Sequence, residues 1–138
     1  MKQASGELTI NTRAQGLVEF TDEVTRWLDE QVIETGLLTI FCRHTSASLL
    51  INENAAPAVR RDIQRYFARI APEARDYEHY DEGPDDMPAH LRAALTDVSL
   101  SVPVARGVPV LGTWQGLYLF EHRAAPHRRR VALHVIGE

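Results

Sequence analysis

The chain's imidazoles, carboxylates, hydroxyls and amides are unevenly placed. In RHTSASLLINEN, residues 43–54, His44, Thr45, Ser46 and Ser48 stand before the apolar run Leu49–Ile51, and Asn52, Glu53 and Asn54 follow it. If that run is a strand, its polar flanks are strand ends, where a rigid scaffold presents reactive groups. His79 and His90 fall in two further segments, each close to carboxylates. Three neutral imidazoles, His44, His79 and His90, with an oxygen ligand completing the shell, suit zinc or another divalent first-row ion, and magnesium is the other candidate divalent cofactor. No H-x-x-x-H or C-x-x-C pair marks the site, so an alternative stays open, in which the imidazoles donate hydrogen bonds to a phosphate.

The remaining candidates follow from the same reasoning. Thr45, Ser46 and Ser48 offer hydroxyls and a turn of backbone amides to an anion; Ser46 lacks the G-x-S-x-G surroundings of a nucleophile. Glu53 is a candidate general base, with His44 and His90 as its catalytic companions. Asn52 and Gln115 supply amides, and Trp114 a flat wall. In GTWQGLYLFEH, Leu117, Leu119 and Glu121 alternate against Tyr118, Phe120 and His122. Glu121 therefore ends an apolar row and must be paired internally or border a pocket.

These residues need elements to hold them. ELTINTR and GLVEF flank Gly16 and read as two strands of a hairpin. Thr21 caps a helix over about residues 22–34, with Val24, Leu28 and Val32 on one face and Gly36 as its stop. LLTIFCRH is apolar in both alternating sets, as in a strand covered on both faces, and its period of two aligns Leu38, Ile40, Cys42 and His44. Asn54 caps a second helix with Pro57 in its first turn and a stripe of Val59, Ile63, Phe67 and Ile70, its arginines facing solvent. Residues 73–85 form a long loop of acids and aromatics. Asp85 or Asp86 then caps a third helix, with His90 in its first turn and Met87, Leu91, Ala94 and Leu95 as its buried stripe. The rest reads as strands, in which HRAAPHRRR, with Arg123, Arg128, Arg129 and Arg130, is a charged hairpin blunting a sheet edge. Strands, helix, strands, two helices and strands make an α+β domain with mostly antiparallel pairing.

The totals narrow the function classes. A chain of 138 residues is the size of one domain, residues 1–138. A formal net charge of −4 does not favour nucleic acid. No apolar run reaches the ~20 residues of a membrane helix, and the N-terminus lacks a secretory pattern, so the expectation is a cytoplasmic protein. The single Cys42 has no intrachain partner.

HTSASLLINENAAPAVRRD, YEHYDEGPDDMPAHLRAAL and LGTWQGLYLFEHR…RRRVALHVIGE, in this order and spacing, resemble the YjbQ-like family, also described as the secondary thiamine-phosphate synthase enzyme family. The resemblance implies a two-sheet sandwich with about three helices, assembling as a homotrimer. It implies recurring polar residues at His44, Thr45, Asn52, Glu53, His79, His90, Gln115 and Glu121. Phe120 departs from many relatives, which carry a cysteine there. The implied activity is weak thiamine-phosphate formation from a pyrimidine pyrophosphate and a thiazole phosphate, on a scaffold too short for a (β/α)₈ barrel of ~250 residues. A non-catalytic phosphometabolite-binding protein and a metal-dependent hydrolase are the competing expectations.

Overall fold

The computed structural model describes residues 1–138. In chain order the elements are β1 (Lys2–Thr12), β2 (Gly16–Glu19), α1 (Thr21–Asp29), β3 (Thr35–Cys42), β4 (Ala47–Glu53), α2 (Pro57–Ile70), α3 (Asp86–Leu95), β5 (Ser99–Ala105), β6 (Val108–Pro109), β7 (Gln115–Glu121) and β8 (His127–Gly137). They form a five-stranded sheet, β1-β8-β3-β5-β6, and a three-stranded sheet, β2-β7-β4, with antiparallel pairing throughout. Ile10, Leu38, Ile40, Val102, Val131, Leu133 and Val135 from the large sheet meet Leu49, Leu117 and Leu119 from the small one, and α1 adds Val24 and Leu28. The fold class read from the sequence, α+β with a two-sheet sandwich and three helices, is the one found.

Strand partners differ from the expected hairpin. β1 pairs with β8 along its whole length, while β2 pairs with β7 in the other sheet. Period-two alternation makes a strand but does not choose its neighbour. The eleven residues of β1 find an equally long partner in β8, and Gly16, at φ +137, starts the chain into the second sheet. This pairing also corrects the edge reading of the basic run, because β8 lies between β1 and β3.

All three helices start without the expected side-chain caps, Asp85 before α3 accepting Arg123 and Ala124 instead, and α1 ends early. The Thr21 hydroxyl donates to Glu19 and accepts the Leu117 amide, so it ties α1 to β7 instead of capping it. α1 stops at Asp29, where the Gln31 side chain takes the Trp27 carbonyl and Val32 turns to φ 55. Gly36 is no stop signal but lies inside β3, opposite Gly137. A Cβ on Gly36 would meet the Ile136 carbonyl at 2.3 Å, so only glycine allows this approach. The lead-in to α2 is capped by Glu53, whose Oε2 accepts the Ala55 and Ala56 amides; Asn54 instead donates to the Gln115 carbonyl.

Burial departs from the predicted stripes at three places. Leu37 and Phe41, on the outer face of β3, are 43% and 45% exposed, so the large sheet is covered on one side only. α2 has no fully buried residue and Ile70 is exposed; Phe67 leans edge-on against Phe120 across the small sheet. α3 buries Asp86, Pro88, Ala89, Arg92 and Ala93, while Leu95 faces out at 61% exposure. Small side chains let this helix approach β4 closely; of its two buried charged groups Asp86 is paired with Arg123 and Arg92 donates to the Ala71 carbonyl, which a hydrophobicity pattern cannot register.

Candidate metal centre

Asp86 opens α3 and is almost wholly buried. Such a carboxylate must be satisfied at both oxygens. Oδ1 accepts Arg123 Nη1 at 2.6 Å, and Oδ2 faces two imidazoles, His79 Nε2 at 2.7 Å and His90 Nε2 at 3.1 Å. His90 follows Asp86 by four residues, so the helical repeat sets both on one face. His79 enters from the loop before α3. Burial alone would raise the Asp86 carboxyl, but His79, His90 and Arg123 together hold it below the usual carboxylate range. The hydrogen bond to Asp86 in turn raises His79 above an ordinary imidazole.

The tautomers carry the chemistry. His90 Nδ1 lies 2.9 Å from the Thr45 carbonyl, which can only accept, so Nδ1 bears a proton. His90 Nε2 then points its lone pair at Asp86 Oδ2, two acceptors in contact, unless a cation lies between them. That cation is either a second proton or a metal ion. His79 repeats the pattern, with Nδ1 3.5 Å from Asp81 Oδ1 and Nε2 on Asp86. One ligand atom from each of His79, Asp86 and His90 lies within 4.8 Å of the others. Ligating histidines commonly donate their other N–H to a carboxylate or a backbone carbonyl, as His90 does to Thr45, while Asp81 stands near the His79 Nδ1. Ligand distances of about 2.0–2.1 Å around a tetrahedral ion separate the ligands by roughly 3.3 Å. To admit one, His79 must withdraw about 0.6 Å from Asp86, a small step for a half-exposed loop side chain. A cavity of about 440 Å³, lined by Tyr77, Glu78, His79 and Met87, opens beside the cluster.

The other predicted residues lie elsewhere in the chain. His44 does not join His79 and His90: its Nε2 accepts the Arg130 amide at 2.7 Å, and burial followed by the Arg129 charge lowers its pKa. It is thus a neutral imidazole with its lone pair already used. Thr45 takes part through its carbonyl, not its hydroxyl. Ser46 and Glu121 belong to a buried ion pair between the sheets. Arg129 Nε donates to Glu121 Oε1 at 2.8 Å, and Nη2 donates to Glu121 Oε2 and to Ser46 Oγ at 3.0 Å; Thr12 adds a bond of 2.6 Å. Arg129, read from sequence as part of an exposed edge, is therefore internal.

Asn52, Glu53 and Gln115 stand at the far end of β4 and β7, where Glu53 and Gln115 are six residue steps from Ala47 and Glu121. At about 3.4 Å per residue the two ends are about 20 Å apart. All three are engaged locally: Glu53 in the lead-in to α2, Gln115 Oε1 with the Gly112 amide, and Asn52 Oδ1 with the Glu53 amide. Within one chain they do not meet the histidine cluster, and Glu53 is not placed as its base. Trp114 is 64% exposed.

Sequence reasoning passed over Asp86 as a candidate ligand, Arg123 as its clamp, and His122. Asp86 and His90 form a D-x-x-x-H spacing on a helix, and that signal was readable. His122 is fully buried, its Nε2 2.8 Å from Ser48 Oγ, and burial lowers its pKa to about 3. Nε2–H donating to Ser48, Ser48 to Thr96 and Thr96 to the Arg92 carbonyl gives a chain from β7 to the end of α3. It leaves His122 Nδ1 as an unpaired acceptor, cheaper than an unpaired donor.

The family described as UPF0047 protein YjbQ-like matches residues 6–138. The chain is 48% identical over 132 residues to UPF0047 protein sll1880 of Synechocystis, covering 95% of this chain and 90% of that protein. It is 42% identical to UPF0047 protein YjbQ of Escherichia coli O157:H7, covering 95% and 96%. Among solved structures, a YbjQ-like protein of unknown function from Sulfolobus solfataricus superposes with a TM-score of 0.91 at 27% identity, covering 99% of both chains. A yjbq/upf0047 family protein from Clostridium acetobutylicum gives 0.86 at 34% identity, covering 94% of this chain and 98% of that one. The whole sandwich and the segments that bring Asp86, His79 and His90 together fall within these matches, and the chain belongs to the UPF0047 (YjbQ-like) family.

Proposed function

We propose that the protein is a metal-dependent enzyme in which His79, Asp86 and His90 hold one divalent first-row ion. The observation that supports this is the convergence of two imidazole Nε2 atoms on one carboxylate oxygen while each Nδ1 faces an oxygen of its own. Two nitrogens and one oxygen suit zinc, whereas magnesium prefers oxygen ligands, so of the two expected ions zinc is the better match. The bound ion would supply a Lewis acid and a water activated near neutral pH, the equipment of a hydrolase or of a group transfer with an anionic leaving group.

The thiamine-phosphate-forming reaction belongs here as the finer reading. Its leaving pyrophosphate would need the same ion, but Arg123 is already committed to Asp85 and Asp86 and offers no free guanidinium to a second phosphate. Hydrolysis therefore leads, and a small phosphorylated metabolite is the competing substrate class. His44 is kept as a hydrogen-bond donor through Nδ1, not as a base.

The experiment strips the protein with a chelator, reloads it with zinc or magnesium, and measures both p-nitrophenyl ester hydrolysis and thiamine phosphate formation. Zinc should restore ester hydrolysis to the wild type and not to His90→Ala. Equal activity of stripped and reloaded protein in both assays would refute the metal-dependent reading; thiamine phosphate formation alone would return the lead to the phosphometabolite reading.

A further inference from the structure

A carboxylate beside a metal can bind with one oxygen or close over it with both, and the second mode fills a position that water or substrate would use. Asp86 has only one oxygen to give. Its Oδ1 is held at 2.6 Å by Nη1 of Arg123, whose Nε donates to Asp85 Oδ2 at 3.1 Å and whose Nη2 donates to the Glu82 carbonyl at 3.0 Å. The Arg123 backbone amide reaches Glu121 Oε2 at 3.2 Å, and the Ala124 amide braces Asp85 Oδ2 at 2.8 Å. The guanidinium is thus anchored from β7 and from the loop before α3, and its planar fork holds direction as well as charge.

We propose that Arg123 is a positioning residue which, by occupying Asp86 Oδ1, restricts Asp86 to one-oxygen coordination and keeps a ligand position open. This rests on the metal reading given above. His79, His90 and Asp86 Oδ2 then supply three ligands, the number typical of a catalytic zinc centre with an exchangeable fourth position. The positive charge on the outer oxygen also draws electron density from the inner one, which strengthens the ion as a Lewis acid.

Cobalt(II), which reports its coordination number in the visible spectrum, is the probe in place of zinc, and azide titrates the open position. The wild type should bind cobalt and shift its band with azide. Arg123→Met, which keeps the stem but no donor, should weaken azide binding at least tenfold and lower the band intensity as coordination number rises. Arg123→Lys, still a donor to Oδ1, should stay within threefold of the wild type. Azide affinity and band shape unchanged in Arg123→Met would mean that Arg123 only pins the loop, which overturns the proposal and leaves the metal reading standing. No cobalt band in the wild type overturns both. If Arg123→Met does not fold, X-ray absorption on the zinc-loaded wild type decides: one Asp86 oxygen in the shell supports the proposal, and two overturn it.

Discussion

Asp86 and Glu121 are the two carboxylates that the fold buries, and each is held by an arginine. For Glu121 the consequence is stability. Burial alone would raise its carboxyl, but Arg129, Thr12 and the Arg123 amide together hold it below the ordinary value. Its contribution is therefore present above the unfolded carboxyl pKa of about 4.3 and is lost as pH falls through the lower folded value. Glu121→Gln should show a flatter decline in urea midpoint below about pH 4 than the wild type; parallel curves would contradict this. Removing one partner leaves the other charge buried, so Glu121→Ala or Arg129→Ala should each cost about 3–5 kcal/mol in urea unfolding. That reverses the sequence reading of Arg129 as one charge of an edge hairpin. The apolar row ending at Glu121 was legible from alternation; its partner was not, because an arginine inside RRR looks solvated until the opposite sheet is known.

At the scale of elements, alternation located nearly every strand, but pairing came from elsewhere. β1 and β2 were recognisable as strands, yet length matching with β8 and the turn at Gly16 decided their sheets. Gly36 was misplaced because glycine near a helical pattern suggests a stop, when its role is the backbone approach of β3 to β8. Gly137 stands in the same contact, and a Cβ there would lie 2.0 Å from the Thr35 carbonyl. Gly137→Ala should therefore cost about 1–3 kcal/mol through displacement of the strand pair, read as a lowered melting temperature with activity per folded molecule unchanged. A melting temperature equal to the wild type's would show that β3 and β8 separate there without cost. In α3 the sequence pattern favoured Met87, Ala94 and Leu95, but the helix turns Ala89, Ala93, Asp86 and Arg92 inward. Asp86 on that inward face is what lets His90, one turn later, reach the same carboxylate oxygen as His79.

For the whole molecule, one face of the sandwich lacks a cover. Leu37, Phe41 and Ile136 are exposed on the outer side of the large sheet, and no helix of this chain lies over them. We propose this face, where Glu7 and Arg130 border the apolar residues, as the surface of the self-association implied by the family resemblance, a homotrimer. Phe41→Glu should lower the mass by light scattering to that of one chain, and an unchanged oligomer mass would place the contact elsewhere; a wild type of monomeric mass would remove it. No helix is long and apolar enough to cross a membrane. The sequence placed His79 and His90 together correctly. It also grouped them with His44, whose Nε2 is taken by the Arg130 amide, and with Glu53 and Gln115, which a strand pair about 20 Å long holds at its far end. The most direct measurement is metal content after dialysis against zinc, taken on the wild type and on His79→Ala, Asp86→Ala and His90→Ala, each checked for matching circular dichroism. The account predicts close to one zinc per wild-type chain and loss of most of it from all three variants. Full zinc content in the folded variants, or none in the wild type, would contradict it.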